Sequence, residues 1–121
     1  MTIQECYEAL EGDYQEVLGR LYSEALVRKF VGKFLSDKSF SMLADAVREK
    51  NYEEAFRAAH TLKGVTQNLS FTRLYQSSHE ITEALRMKEY DRAAELLPKV
   101  EADYMRTAAA IQTYNQSNQG T

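Results

Sequence analysis

Among 121 residues there is no tryptophan, one proline, one cysteine and two histidines. Each scarcity excludes something. Five glycines and a single proline are too few breakers for many short strands and tight turns. No stretch sustains the apolar–polar alternation that a half-buried strand needs, so the chain reads as all-helical. The lone cysteine, Cys6, cannot form an internal disulfide and reads as a small residue packed in a terminal helix. Two histidines and one cysteine, without H-x-x-x-H or C-x-x-C spacing, give no metal site. No glycine-rich phosphate loop is present, so no nucleotide site of its own and no cofactor is expected. No apolar run nears the roughly 20 residues that span a bilayer, so no membrane association is expected. The opening MTIQECYEAL has no basic region followed by an apolar core, so no secretory signal is read and a cytoplasmic location is expected. The net charge is −3, and the basic residues are interleaved with acids. That pattern weighs against a nucleic-acid partner, which calls for a basic stripe.

What remains is a run of helical periods. Thr2 and Glu5 have capping-box spacing before a short helix to Leu10, ended by Glu11-Gly12. Asp13 caps a second short helix to about Arg20, and the two are expected to close one end of a bundle. Ser23 caps a third helix with Leu26, Val27, Phe30, Val31, Phe34 and Leu35 on one stripe. Gly32 lies inside it, at a cost of about 1 kcal/mol relative to alanine, which close approach of a neighbouring helix would offset. Asp37 or Ser39 caps a fourth helix with Phe40, Leu43, Ala44 and Val47 facing in. After Leu69-Ser70 comes a helix from Phe71 to Met87 whose inner stripe is Phe71, Leu74, Tyr75, Ser78, Ile81 and Leu85. His79 falls off that stripe and reads as a surface residue. Asp91 opens the last long segment, with Ala94, Leu97, Val100, Tyr104, Ala108 and Ile111 inward and Pro98 expected to kink or split it. The eight tyrosines and five phenylalanines mostly fall on core stripes. Residues 1–115 are expected to form one domain, and 116–121 a polar, frayed tail.

Between the fourth helix and Phe71 lies NYEEAFRAAHTLKGVTQNL, around which the rest is arranged. Asn51 caps it, and Glu53 and Glu54 suit the positive end of the helix dipole. At roughly 100° per residue, Ala55, Ala58, Ala59, Leu62, Val65, Thr66 and Leu69 share one side. His60, Lys63, Gly64 and Gln67 share the opposite side. A core histidine would sit on the alanine face, and His60 points away from it. A plain exposed histidine stays open on spacing alone. Gly64 shifts the balance: on a solvent face no packing rewards it, unless a partner comes close beside the histidine. Neutral imidazole is a competent nucleophile near neutral pH, and a phosphoryl group on it carries roughly two negative charges, part of which Lys63 can balance. The physical reading is a phosphate carrier presented to another protein.

AFRAAHTLKGVTQNLSF closely resembles the phosphorylation-site helix of histidine-containing phosphotransfer (HPt) domains, and His60-Lys63-Gly64 matches the H-x-x-K-G signature of that family. The resemblance extends through LGRLYSEALVRKFVGKFLSD before it and HEITEALR after it. It implies an up-down antiparallel four-helix bundle with short additional N-terminal helices. His60 would be phosphorylated, Lys63 would stabilise the phosphoryl charge and Gly64 would leave room for a receiver domain. Gln67 and Asn68 would border the docking surface, with Arg57 and with Phe56 if its ring is exposed rather than core. Many members have glycine where Ser70 stands, and glutamine or glutamate where Thr82 stands, a position that can orient the histidine ring. Thr82 would do so at shorter reach.

The resemblance implies a phosphocarrier rather than an enzyme. Its partners would be response-regulator receiver domains, a sensor histidine kinase, or both, and the partner would supply magnesium and the catalytic groups. A monomer is expected, because a bundle of this size can close its own core. No kinase or regulatory domain follows in the sequence, so a free-standing carrier is expected. The alternatives are a docking module that carries no phosphate and the excised phosphotransfer domain of a chemotaxis-type kinase.

Overall fold

In the computed structural model residues 1–118 are described, and they form seven helices with no strand among them. They are α1 Ile3–Ala9, α2 Tyr14–Leu21, α3 Glu24–Phe34, α4 Ser39–Arg48, α5 Tyr52–Asn68, α6 Thr72–Arg86 and α7 Tyr90–Asn118. α4, α5, α6 and α7 pack in chain order, and α7 returns to α4, which closes an antiparallel four-helix bundle. α1 lies on α7, and α2 packs with α3. Residues 116–118 continue α7, and the remainder of the expected tail, 119–121, lies outside the described residues.

α1, α2, α3 and α5 start where short polar side chains cap them. Thr2 and Glu5 form the reciprocal capping box, and Asp13, Ser23 and Asn51 each accept a backbone N–H from their first turn. α4 departs from expectation: Lys38 holds the N-cap position without a side-chain bond, and the Asp37 carboxylate accepts the Ser39 N–H at 2.8 Å instead. The ends differ more. Glu11, Lys50, Ser70 and Lys88 follow α1, α4, α5 and α6 with φ of 60°, 60°, 55° and 58°. Behind each, the next N–H reaches back over the final turn, as Phe71 does to the Thr66 carbonyl at 2.9 Å. At the first of these ends the left-handed residue is Glu11 and not Gly12, and no glycine among the described residues has positive φ.

A chain of ring contacts closes one end of the bundle. It runs Tyr14–Tyr7–Phe71–Phe34–Tyr104–Phe40 with centroid separations of 5.7, 5.6, 5.1, 5.9 and 4.5 Å. α3 enters this end through Phe34, while Val27 and Val31 are also sealed. Leu26 and Phe30, expected on the same stripe, are about 40% exposed, because α3 packs chiefly on the short α2 and has no neighbour over that side. Gly32 likewise faces open space, with no atom within 4 Å of a Cβ built there; no neighbouring helix approaches it.

α7 corrects two further expectations. Its buried stripe is Ala93, Leu97, Val100, Asp103, Thr107, Ala110, Ile111 and Tyr114, and Ala94 is exposed. The stripe includes a buried aspartate and a buried threonine, so a phase read from apolar residues alone is shifted. Asp103 is held by Arg106 Nη1 at 3.0 Å and Arg73 Nε at 3.4 Å. Pro98 does not split the helix. It removes the N–H that the Ala94 carbonyl would accept, and both residues are exposed, so water can take that place.

Candidate functional site

α5 is built with two unlike faces. Inward it presents Ala55, Ala58, Ala59, Leu62 and Thr66, all buried; the alanines let α4 and α6 come close on either side. Val65, expected with them, is half-buried. Thr66 turns its hydroxyl back on its own helix, donating to the carbonyls of Leu62 at 2.8 Å and Lys63 at 3.0 Å. Outward the same helix presents His60 and Gln67, both exposed, with Lys63 and Gly64 half-exposed between them. Among the described residues the His60 side chain makes no hydrogen bond or ion pair. Its one ring neighbour is Phe56, at 6.1 Å between centroids. Lys63 has no carboxylate within 4 Å among the described residues. A Cβ added at Gly64 would meet nothing within 4 Å.

The other residues singled out in the sequence divide. Phe56 is half-buried, packed on the core along one edge and covered by the Arg86 guanidinium, whose carbon lies 5.1 Å from the ring centroid. Arg57 is exposed but tethered, with Nη2 at 3.0 Å from Glu53 and Nη1 at 3.4 Å from Glu54. Asn68 is exposed and lines an open, mainly apolar cleft of about 450 Å³ with Val65, Leu69, Leu21, Phe30 and Phe34. Thr82 does not reach the site: it is fully buried, and its hydroxyl donates to the Ser78 carbonyl at 2.6 Å. A short side chain on the inner face of α6 cannot cross to the outer face of α5, so the expected orienting role for Thr82 is withdrawn.

Glu83 and Arg86, which sequence reasoning passed over, and His79, which it reads as a surface residue, stand on α6 nearer the histidine face. Glu83 accepts from Arg86 Nε at 3.0 Å. Arg86, by this bond, holds the Glu83 carboxyl below its ordinary range, and His79 and Lys63 add to the effect through their charge. His79 is not the surface residue expected. It is half-buried, its ring lies along Tyr75 with centroids 6.0 Å apart, and its Nδ1 is sealed from solvent without a partner. The signal that could have found these residues is the short α5–α6 turn. Counting outward from it in antiparallel register sets Arg86 opposite Phe56 and Glu83 near His60 and Lys63.

The turn itself is firmly held. Arg20 Nη1 donates to the carbonyls of Gln67 at 3.2 Å and Asn68 at 2.8 Å, and to Ser70 Oγ at 2.9 Å. Ser70 Oγ donates to Glu16 at 2.7 Å, Tyr7 Oη donates to the Leu69 carbonyl at 2.7 Å, and the Asp13 N–H donates to the Ser70 carbonyl at 2.8 Å. A cation on the last carbonyls also suits the negative end of the helix dipole. The serine that stands where HPt domains often carry glycine is therefore bound through its side chain to α2.

Among the described residues no cluster of three or more metal-ligating side chains occurs, and no helix is long and apolar enough to cross a membrane. A family model described as the Hpt domain matches residues 29–113, a span that begins within α3, ends within α7 and contains His60. No curated protein and no solved structure gives a match.

Proposed function

This chain belongs to the Hpt domain family, whose members are phosphocarrier modules of two-component signalling, and from that premise we propose that it carries a phosphoryl group on His60. The single observation that most supports this is the geometry of the outer face of α5. An exposed imidazole stands beside an ammonium, both without a side-chain partner among the described residues, with open space over Gly64. Residues 1–115 act as one domain on this reading, and as a monomer. The donor is a phosphorylated receiver aspartate or a histidine kinase, and the acceptor is another receiver aspartate.

The chemistry needs little from this chain. The unprotonated ring nitrogen of His60 gives its lone pair to phosphorus. The P–N bond forms as the acyl P–O bond of the donor breaks, and the aspartate carboxylate leaves with the bonding pair. The proton on the other ring nitrogen is retained or released to solvent. Hand-over to an acceptor carboxylate reverses these steps. Lys63 balances part of the roughly two negative charges on the group while it is carried. Gly64 gives the partner's backbone room beside the ring. Gln67, Asn68, Phe56 and Arg57 border the docking surface, with Arg57 the least available because two glutamates hold it. The protein supplies a positioned nucleophile, and the partner supplies magnesium and the acidic pocket.

The test is phosphoryl transfer from a panel of phosphorylated receiver domains to the purified chain, with His60→Gln as control. Acid-labile, base-stable label that disappears in the variant is the expected result. Label that persists in a folded His60→Gln protein refutes the assignment.

A further inference from the structure

One guanidinium that is not part of the α5 signature covers the ring next to His60. Arg86 lies over Phe56, 5.1 Å from its centroid, and Phe56 lies 6.1 Å from His60. The carboxylate of Glu83 holds Arg86 in place at 3.0 Å. Both side chains are nearly half-exposed, at 47% and 43%, so the pair is fixed at two points yet free to swing. We infer that Glu83 is a resident counter-anion, which holds Arg86 near the site when His60 is bare and yields it to the phosphoryl group when His60 is charged. This rests on His60 being the carrier and adds what sets the lifetime of the carried group.

The charges favour the exchange. An exposed (i, i+3) ion pair is weak and easily traded. A phosphoryl group offers about two negative charges and three acceptor oxygens where Glu83 offers one charge, and a guanidinium meets phosphate oxygens with two parallel N–H groups. Expulsion of imidazole from phosphohistidine is driven by charge on those oxygens. Cations drawn onto them slow spontaneous loss, and a carboxylate competing for the same cations speeds it. Arg28 is the internal contrast: one carboxylate, Glu24, holds it at 3.3 Å, but it stands on α3 rather than over the ring next to His60.

The experiment avoids any need to know the natural partner. The wild-type chain and the variants Arg86→Ala, Arg86→Lys, Glu83→Gln and Arg28→Ala are phosphorylated with phosphoramidate, which releases ammonia as the P–N bond to the protein forms. The half-life of the isolated phosphohistidine is then followed, and circular dichroism checks the fold. Arg86→Ala is expected to shorten the half-life several-fold and Arg86→Lys to restore part of it. Glu83→Gln should lengthen it several-fold, and Arg28→Ala should leave it within twofold of wild type. A merely structural ion pair would not move the two Glu83–Arg86 partners in opposite directions. Label on His60 with unchanged half-lives in Arg86→Ala and Glu83→Gln overturns this inference alone. Absence of label on His60 in the wild type overturns the carrier reading and this inference with it.

Discussion

The C-terminus and the outer face of α5 are built in opposite ways. At its C-terminus almost every polar group is committed: Arg20, Glu16, Ser70, Tyr7 and Asp13 bond to one another or to the last carbonyls. Across its outer face, earlier along the helix, the side chains of His60 and Lys63 hold no hydrogen bond among the described residues, and the space over Gly64 is empty. The bonded turn fixes where the helix stands. The unbonded face is left for something outside the chain. A residue in the first region should matter to stability and little to phosphoryl chemistry, and a residue in the second should do the reverse.

The largest expected effect is on the outer face. His60→Gln should abolish labelling while changing stability by no more than about 0.5 kcal/mol, as for other exposed substitutions without a structural partner. Denaturant unfolding of the variant beside a transfer assay checks both halves. A bundle that melts with this change would place His60 in the structural region instead.

Next comes the bonded turn. A Cβ at Gly12 would stand 2.7 Å from the Ser70 carbonyl oxygen and 2.8 Å from the Leu10 and Tyr7 side chains. Gly12→Ala should therefore cost about 1–3 kcal/mol by overpacking, read as a lower urea midpoint, with labelling of the folded fraction intact. Tyr7→Phe removes the buried donor to the Leu69 carbonyl and should cost about 1–2 kcal/mol. Indifference of stability to both changes would show that the turn is held by other means.

Alkaline titration sharpens the same contrast. Burial pushes the Cys6 thiol up to about 11 and lifts the Tyr7 hydroxyl well above its ordinary range. The folded state therefore keeps protons that the unfolded chain gives up first. The associated stability is fully present below the unfolded thiol value, about 8.5. It is lost as pH rises toward 11, at up to about 1.4 kcal/mol per pH unit for each proton. Cys6→Ala should flatten the onset of this loss, which urea midpoints between pH 8 and 11 would report. A wild-type midpoint that does not move over that interval contradicts the burial argument.

The smallest effects separate three glycines that all face open space, Gly19, Gly32 and Gly64. Alanine at Gly32 or Gly64 should stabilise the helix by about 0.5–1 kcal/mol. Only Gly64→Ala should also slow transfer from a receiver domain. Equal transfer rates for the two variants would remove the reason for a glycine beside His60.

Much of this was legible in the sequence, because it follows from local chemistry. Thr2, Asp13, Ser23 and Asn51 announce helix starts, and the alanine face of α5 fixes by subtraction which way His60 points. The helix ends were harder. Glycine marks left-handed caps in most chains, and here Glu11, Lys50, Ser70 and Lys88 take those positions, held by backbone bonds that leave no signature in residue type. The stripe of α7 was misread at Ala94 because Asp103 and Thr107 are buried on it. Thr82, Glu83, Arg86 and His79 were misjudged or missed because their roles depend on which residue of α6 faces which residue of α5. The solvent-exposed glycines gave the opposite lesson: Gly32 and Gly64 look alike in sequence, and only the residues around Gly64 give it a purpose.

The measurement that bears most directly on the account is phosphorus NMR of the chain after phosphoramidate treatment, run on wild type, His60→Gln and His79→Gln. A single P–N resonance in the wild type and in His79→Gln, absent from a folded His60→Gln, is the predicted result. A resonance that survives in His60→Gln and vanishes in His79→Gln would contradict it and move the reactive nitrogen from the open face of α5 to the half-buried ring on α6.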